Sequence, residues 1–272
     1  MKDEGTGAPI LRALLEESGE SWPAPLEHHA EVASTNDRLK ERARGGAPEW
    51  SVVLADAQSA GRGRQGRTWA SPRGHLYVSV LLRPPARAAG LIPLAAGVAA
   101  CEALAAFGVA ARLKWPNDVL VGERKIAGIL AEASSGQGSG NAVAGAPARV
   151  DWVVLGVGAN LDEGTQALPA EATSVRAETG RVVSPVEAAG AVLVRLRVWY
   201  RSLVSGPSAA VVGAWRERAV PWWGRLVEAS TGERRIRGVA KDVDDEGALV
   251  LETETGRLER IVSGEVSRVR LS

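Results

Sequence analysis

The chain has 272 residues, of which 45% are hydrophobic and 24% charged, and its formal net charge is +1. This composition is typical of a globular protein with one large or two modest domains, and so small a net charge excludes a strong general attraction to nucleic acid or to an anionic membrane. The single cysteine, Cys101, excludes an intrachain disulfide, and because residues 1–10 lack a secretion signal and no apolar run is long enough to span a membrane, we predict a cytoplasmic protein.

The first half of the chain predicts helices that alternate with short strands. Helices are predicted over 10–19, 34–46 and 89–107, and strands near 27–34, 50–58 and 75–83. The second helix has a clear start at Ser34 or Thr35, which can cap its first turn, and a stop at Gly45-Gly46. The third is nearly all apolar, which predicts that it is buried in the middle of the domain.

In the second half of the chain, the sequence pattern changes after residue 220. Strands are predicted within 111–132 and 149–160, a mobile Gly/Ser/Ala-rich loop over 134–148, and helices near 184–204 and 207–218. From Pro221 the sequence consists of four or five short runs broken by the turn signals STGE, DDEG, ETGR and SGE. This spacing predicts a small antiparallel barrel or sandwich and a domain boundary near 220.

The stretch GRGRQGR over 61–67 combines a G-x-G-x-x-G pattern with three arginines. A dinucleotide-binding turn would lead into a helix, but Pro72 and Gly74 follow, and the usual acidic residue about twenty positions on is absent. A nucleic-acid patch fits a near-neutral chain poorly. Two interpretations remain: a flexible loop that closes on an anion, and a solvated basic turn.

Five blocks of sequence, taken together, resemble the biotin protein ligases in order and spacing. They are STN at 34–36, QSAGRGRQGRTW at 58–69, LKWPNDV at 113–119, KIAGILAE at 125–132 and GVGAN at 156–160. The C-terminal segment, GRLVEA through VSGEVSRVR, is similar to the SH3-like domain of that family. The resemblance spans residues 30 to 272.

The resemblance implies an α/β (α+β) fold: a mixed, mainly antiparallel sheet with helices packed on one side, as in the class II synthetase-like catalytic domain of this family, plus a small C-terminal SH3-like β-barrel. We expect an N-terminal extension over 1–25, a catalytic biotin- and ATP-binding domain over 26–220, and the SH3-like domain over 221–272. About 25 residues ahead of the catalytic region are too few for a DNA-binding domain, so we expect the monofunctional type, which binds no operator.

The resemblance also implies a two-step reaction. The enzyme would activate biotin with ATP as biotinoyl-5′-AMP and transfer it to a lysine of a biotin carboxyl carrier protein domain of acetyl-CoA carboxylase or a related enzyme. The first step brings two anions together, so cations must be fixed around them. Lys125, Arg62 and Asp118 are the expected catalytic residues, and Asp118 is also the expected contact to Mg²⁺. The adenylate and ATP would contact Arg62, Arg64, Arg67, Trp69, Lys114, Asn117 and Asn160.

Biotin is a nearly neutral bicycle, and its site needs a few short polar side chains and apolar walls. The positions that match the biotin-binding residues of the family are Ser34, Thr35, Asn36, Gln58, Gly61, Arg62, Gly63, Arg64, Lys125, Gly128 and Gly156. The arginine loop, over 61–74, and the segment 161–175 correspond to family segments that order when ligand binds, so we expect both to act as lids. His75 has no counterpart of known role and is expected at the surface.

Other functions remain open at this stage. A lipoate ligase or octanoyl transferase shares the expected fold, and a biotin sensor without chemistry would share the pocket. No zinc or NAD site is expected, because the histidines lack metal-ligand spacing and the glycine pattern lacks its helix. We expect no nucleic-acid or membrane partner and either a monomer or a homodimer.

Overall fold

A computed structural model of the protein describes residues 6–19, 21–135, 150–162, 168–232 and 234–268. Its helices are α1 (Gly7–Glu17), α2 (Thr35–Arg44), α3 (Ala86–Ala89), α4 (Ile92–Ala106), α5 (Val175–Thr179), α6 (Pro185–Ser205) and α7 (Ser208–Arg218). Its strands are β1 (Leu26–His29), β2 (Val52–Ala55), β3 (Leu76–Leu82), β4 (Arg112–Lys114), β5 (Asp118–Val121), β6 (Arg124–Ser135), β7 (Val150–Ala159), β8 (Leu226–Thr231), β9 (Arg234–Val243), β10 (Leu249–Glu252), β11 (Leu258–Ile261) and β12 (Glu265–Arg268).

The described strands form two sheets. Seven strands make a large sheet in the order β1-β2-β3-β7-β6-β5-β4, and five make a small one in the order β11-β10-β9-β8-β12. In the large sheet β1 and β2 pair in parallel, and the other described pairs are antiparallel. The predicted fold class, a mixed and mainly antiparallel sheet with helices and a small C-terminal β domain, is confirmed, but the helices lie on both faces, since α2 packs on the face opposite α4 and α6.

The two faces of the large sheet pack against different parts of the protein, as β3 shows. This strand is buried at every position. Because side chains alternate along a strand, Val78 and Val80 point into the main core, whereas Leu81 packs with Leu39 of α2 on the other face. Tyr77 lies on that second face and lines a cavity beside α2.

The main core lies between the large sheet and α4, α6 and α7. The α4 helix is buried almost all round, as its apolar sequence predicts. Cys101 on this helix is buried, and burial raises the pKa of its thiol to about 12, so it remains a protonated core residue. Among the helices in the described part of the chain, none has the length and apolar character that crossing a membrane requires.

The α2 helix begins as its sequence predicts. The side chain of Ser34 caps it by accepting a hydrogen bond of 3.4 Å from the backbone N–H of Asp37. This capping bond fixes the entry of the helix, so the residues of the STN block occupy its first turn, beside the cavity.

The small sheet packs directly on the large domain. Trp222 and Trp223 pack against the main core, and the indole N–H of Trp115 donates to the carbonyl oxygen of Gly247 at 3.0 Å. Helix α7 ends at Arg218, and the small sheet begins at β8. The loop predicted over 134–148 lies outside the described residues from 136 onward, as does the part 163–167 of the predicted lid segment.

Candidate active site

A cavity of about 180 Å³ opens on the α2 side of the large sheet. It is bounded by β3, β6 and β7, by the glycine-arginine loop, and by β12 of the small sheet. The predicted site residues that line it are Ser34, Thr35, Asn36, Gln58, Arg62, Gly63, Arg64, Arg67, Trp69, Lys114, Asn117, Asp118, Lys125, Gly128 and Gly156. The arginine loop therefore shares one hollow with Lys125, which favours an anion-closing loop over a solvated basic turn.

One end of the cavity is lined by short polar side chains whose directions are fixed. The backbone N–H and the hydroxyl of Thr35 both donate to Oε1 of Gln58, at 2.8 and 3.1 Å. The amide nitrogen of Gln58 donates to the hydroxyl of Ser71 at 3.0 Å. Because that nitrogen carries two hydrogens, Gln58 keeps one for an acceptor in the cavity.

Asn36 is held more completely. Its Oδ1 accepts a hydrogen bond of 2.6 Å from the hydroxyl of Ser79, and its Nδ2 donates to Oε2 of Glu132 at 2.8 Å and to the carbonyl of Leu130 at 3.3 Å. A Cβ at Gly156 would lie 2.3 Å from Oδ1 of Asn36. A residue with any side chain at 156 would displace the amide, so glycine is required there.

The arginine loop is a closed turn. Arg62 pairs with Thr68 across it, and Gln65 and Gly66 take the left-handed conformation at its tip, with φ of 54° and 74°. The Arg62 guanidinium points to the rim, where it contacts Asp37 at 2.7 Å and Glu132 at 2.8 Å.

The other two arginines of the loop reach different parts of the rim. Arg64 donates to Oδ1 of Asn117 at 3.3 Å, and burial holds the pKa of its guanidinium below the ordinary value. Arg67 pairs with Glu265 of the small sheet at 2.5 Å. The loop thus meets both domains.

Lys125 lines the cavity beside Asp118 and Trp69. Its Nζ is 2.5 Å from Oδ1 of Asp118 and 5.1 Å from the ring centroid of Trp69. Its backbone is tied to the segment 171–173, since its N–H donates to the carbonyl of Glu171 and its carbonyl accepts from the N–H of Thr173. The backbone contacts fix where the side chain starts, and the contact to Asp118 directs the ammonium, a positive charge that can stabilise an anion in the cavity.

Trp69 lies on a floor of two glycines. Gly128 and Gly158 pair across β6 and β7, and a Cβ on either would come within 3.1 or 2.9 Å of the indole. The indole N–H is buried and has no hydrogen-bond partner among the described residues.

The residues of the KWPND turn, 114–118, make different contacts at the cavity. Asn117 donates from Nδ2 to the carbonyl of Ile129 at 2.8 Å, which fixes its Oδ1 toward Arg64. Lys114 lies 5.6 Å from the ring centroid of Trp222. Trp115 is buried beneath the turn, although it also lines the cavity.

Two predicted site residues, Gly61 and Asn160, do not line the cavity. A Cβ at Gly61 would lie 2.4 Å from both the Ser71 hydroxyl and the Trp69 carbonyl, so this glycine permits close packing of the loop. The Asn160 amide nitrogen donates to the carbonyl of Thr173 at 3.0 Å and to that of Lys125 at 3.4 Å. Asn160 therefore braces the backbone of Lys125 from behind.

Several residues at the site escaped the sequence interpretation. Ser79, Tyr77 and Glu132 lie in strands, on the face opposite the main core, and their alternation with apolar neighbours was the available signal. Glu265 and Val266 come from the small domain, and no local pattern places them beside the arginine loop.

His75 is not at the surface, contrary to expectation, but is buried with 1% of its surface exposed. Its Nδ1 accepts a hydrogen bond of 3.3 Å from the backbone N–H of Leu161. The strand β3 begins one residue later and carries His75 into the core, because the end of β7 pairs alongside.

The side chains of the cavity could bind Mg²⁺ only together with a phosphate group of the substrate. Within the described residues no group of three or more His, Cys, Asp or Glu side chains could hold a metal ion. Asp118 offers one carboxylate beside the Asn117 amide, with its Oδ1 at 2.5 Å from Nζ of Lys125, and the carboxylate of Glu265 in the cavity wall pairs with Arg67. Magnesium is commonly held by one or two carboxylates together with substrate phosphates and water, and this arrangement matches that pattern.

Comparison with known families gives two matches along the chain. The biotin/lipoate A/B protein ligase family matches residues 30–146, and the biotin protein ligase C terminal domain matches residues 224–269. The two matches fall on the large sheet and on the small sheet.

Individual relatives agree with these matches. The chain is 38% identical over 239 residues to a biotin–[acetyl-CoA-carboxylase] ligase of Paracoccus denitrificans, covering 84% of this chain and 94% of the relative. A protein of the same description from Mycobacterium tuberculosis is 32% identical, covering 96% and 94%. The solved biotin protein ligase from Aquifex aeolicus in complex with biotin and ATP superposes with a TM-score of 0.73 at 29% identity, covering 90% of this chain and 99% of that one.

Proposed function

Because the chain belongs to the biotin protein ligase family, we infer that it is an ATP-dependent biotin protein ligase, and we propose a role for each charged group in its cavity. The enzyme activates biotin as an acyl-adenylate and transfers it to a lysine of the carrier domain of a biotin-dependent carboxylase. The observation that carries the assignment of roles is that the arginine loop, Lys125 and the STN residues face one cavity.

In the first step a carboxylate oxygen of biotin bonds to the α-phosphorus of ATP, and pyrophosphate leaves. Two anions must meet, so the barrier is largely electrostatic. We assign the central position to Lys125, whose ammonium would lie between the biotin carboxylate and the α-phosphate. Arg62, Arg64 and Arg67 would neutralise the phosphates and leaving group, since guanidinium groups offer fixed, permanently charged donors.

In the second step a deprotonated lysine amine of the carrier attacks the acyl carbon, and AMP leaves. The same cations stabilise the departing phosphate. Enclosure by the arginine loop would keep water from the anhydride until the carrier arrives. Asp118, with the triphosphate, would hold Mg²⁺, which supplies further positive charge at the phosphates.

Biotin would bind at the polar end of the cavity. Ser34, Thr35, Asn36 and Gln58 are expected to contact its ureido group and ring, and the free N–H of Gln58 suits the ureido carbonyl. Close backbone approach at Gly128 and Gly156 would suit the aliphatic tail.

The named relatives and the C-terminal domain match favour biotin over lipoate as the substrate acid. The domain division after residue 220, the cytoplasmic location, the absence of a nucleic-acid partner, and a monomeric or homodimeric state stay predictions.

The roles can be tested with Lys125→Ala, and with Lys241→Ala as the control. Lys241 is half exposed on the small sheet, where it pairs with Glu252 at 2.8 Å. We expect Lys125→Ala to lower the rate of biotin-dependent exchange of pyrophosphate into ATP by about 100-fold, the scale of one lost electrostatic contact to a transition state. The control should exchange at the wild-type rate, and lipoate should not replace biotin. A Lys125→Ala rate within a few-fold of wild type would contradict the assignment.

A further inference from the structure

Glu132 brings together three donors at the edge of the cavity. It lies on β6, two residues beyond Leu130 of the cavity wall, and its side chain is 25% exposed. Its carboxylate accepts from Nδ2 of Asn36 at 2.8 Å, from Nζ of Lys40 at 3.0 Å and from Nη2 of Arg62 at 2.8 Å. One carboxylate therefore touches the first turn of α2 and the arginine loop at once.

The contact to Asn36 fixes the direction of that amide. A carboxylate accepts hydrogen bonds and cannot donate them, so it binds the nitrogen end of the amide. The oxygen end is then left for the hydroxyl of Ser79, at 2.6 Å. With Asn36 only 4% exposed, the reversed amide would face Glu132 with its oxygen, and the two groups would repel.

The contact to Arg62 holds the guanidinium at the rim of the cavity. Its guanidinium is paired with Glu132 and with Asp37 of α2, and Lys40 lies within 2.7 Å of the same Asp37. An anion in the cavity must compete with two carboxylates for Arg62. When Arg62 moves away, Lys40 still pairs with Asp37 and with Glu132, so neither carboxylate is left without a cation.

We propose that Glu132 is a positioning residue for the acid substrate, which it serves by directing the Asn36 amide and by holding Arg62 at the rim of the cavity. The inference rests on the proposed function of the cavity. Burial alone would raise the pKa of Glu132, but the hydrogen bonds from Asn36 and Lys40 and the charges of Lys40 and Arg62 hold that pKa below its ordinary value. The group is thus an acceptor throughout the neutral range.

The test compares Glu132→Gln with Glu27→Gln. Glu27 is a matched control because it is also a partly buried carboxylate, 19% exposed, that ties the sheet to α2, through Arg42 at 2.6 Å, and it does not line the cavity. We expect Glu132→Gln to weaken biotin binding, measured by titration calorimetry, by about tenfold, the size of one charge-assisted hydrogen bond. Because Glu132 competes with the phosphates for Arg62, the KM for ATP should not rise in Glu132→Gln, and Glu27→Gln should bind biotin as wild type does.

A double-mutant cycle with Asn36→Ala separates positioning from general support of the fold. If Glu132 acts through Asn36, the losses of biotin affinity from Glu132→Gln and Asn36→Ala are less than additive. Should Glu132→Gln fold poorly, Glu132→Asp keeps the charge for Lys40 and Arg62 but shortens the reach to Asn36, and it should give the same loss. Equal biotin affinity in wild type and Glu132→Gln, or fully additive losses, would overturn the proposal. Failure of the wild-type protein to bind biotin would instead refute the proposed function.

Discussion

His75 is a buried base that the fold keeps neutral. Its Nδ1 must lack a proton in order to accept from Leu161, and its Nε2 has no hydrogen-bond partner among the described residues. Burial lowers the pKa of the imidazole, and the nearby Asp162 offsets only part of that effect. The neutral ring anchors Leu161, the neighbour of Asn160, whose side chain donates to the carbonyl of Lys125.

This predicts a pH dependence that His75→Asn removes. The folded pKa lies below the unfolded value of about 6.5, so the unfolded chain binds a proton that the folded chain resists. Stability from the neutral ring is therefore complete above about pH 6.5 and is lost as the pH falls toward the lowered pKa. Asparagine can place Oδ1 where Nδ1 accepts, and it does not titrate.

Urea unfolding from pH 5 to 8 measures the effect. The difference in free energy of unfolding between wild type and His75→Asn should be constant above pH 7 and should shift in favour of the variant below pH 6. His29→Asn is the control, because His29 lies nearer the surface and its Nε2–H donates to Oε2 of Glu27 at 3.1 Å. Parallel curves for wild type and His75→Asn would show that His75 does not set the dependence.

At this scale the sequence predicts residues that stand in contiguous blocks and misses those that act through tertiary contacts. Arg62 and Lys125 belong to dense motifs and face the cavity together. Glu132 belongs to a similar block but gains its role from Asn36, nearly a hundred positions earlier in the chain. Nothing local to 132 indicates that partner, because it depends on which face of β6 meets α2.

At the scale of elements, the glycine pair of β6 and β7 supports Lys125 through Trp69. The indole lies against Gly128 and Gly158, and Nζ of Lys125 lies 5.1 Å from its ring. A residue larger than glycine at either position would push the indole away from the sheet. The spacing of the strands thus sets the height of Trp69 and of the ammonium above it.

Gly158→Ala is predicted to impair adenylation more than folding. The new Cβ would lie 2.9 Å from Nε1 of Trp69, so the ring must shift and Lys125 with it. A misplacement of about 1 Å can cost about 100-fold in rate, and we expect a loss of at least about tenfold in kcat/KM for pyrophosphate exchange.

Gly213→Ala is the matched control, because Gly213 lies in α7 and a Cβ there would meet nothing within 4 Å. This variant should keep full activity and gain about 0.5–1 kcal/mol of stability, since alanine favours a helix. Wild-type kcat/KM in Gly158→Ala would mean that the floor does not position Trp69.

Element prediction succeeds where a pattern is long and fails where it is short. The helices over 10–19, 34–46 and 89–107 are found within a few residues as α1, α2 and α4. The helices α3 and α5 were missed, because four or five residues cannot establish a helical period. Which face of the sheet holds the cavity was also beyond the sequence, since β3 carries apolar residues on both faces and Ser79 alone sets no period.

At the scale of the whole molecule, the two sheets share one core. Trp115 and Leu113 of the large domain belong to the same buried cluster as Val227, Leu251 and Val266 of the small sheet. Arg67 and Glu265 add an ion pair across the junction, but both are partly exposed, so it contributes less than about 1 kcal/mol. Arg216 of α7 also donates to Oδ1 of Asp242 and to the carbonyl of Val243, both at 2.6 Å, so polar contacts add to the apolar contact that joins the two sheets.

A shared core predicts that both sheets unfold in one cooperative transition. Val266 is 4% exposed and lies both in that core and in the cavity wall. Val266→Ala should lower the free energy of unfolding of the entire chain by about 2 kcal/mol, because it removes two buried methyl groups and leaves a void. Tryptophan fluorescence, circular dichroism and loss of pyrophosphate exchange should shift together along the urea axis.

Val262→Ala is the control on the same part of the chain, since Val262 is 76% exposed and its truncation should change the free energy by less than about 0.5 kcal/mol. Two separate transitions, with exchange activity surviving the first, would show that the small sheet is an independent unit. The arginine loop would then need no partner in it. A single transition instead makes the closing of the cavity a property of both domains, because the wall that Glu265 and Val266 supply cannot be lost while the rest of the site stays intact.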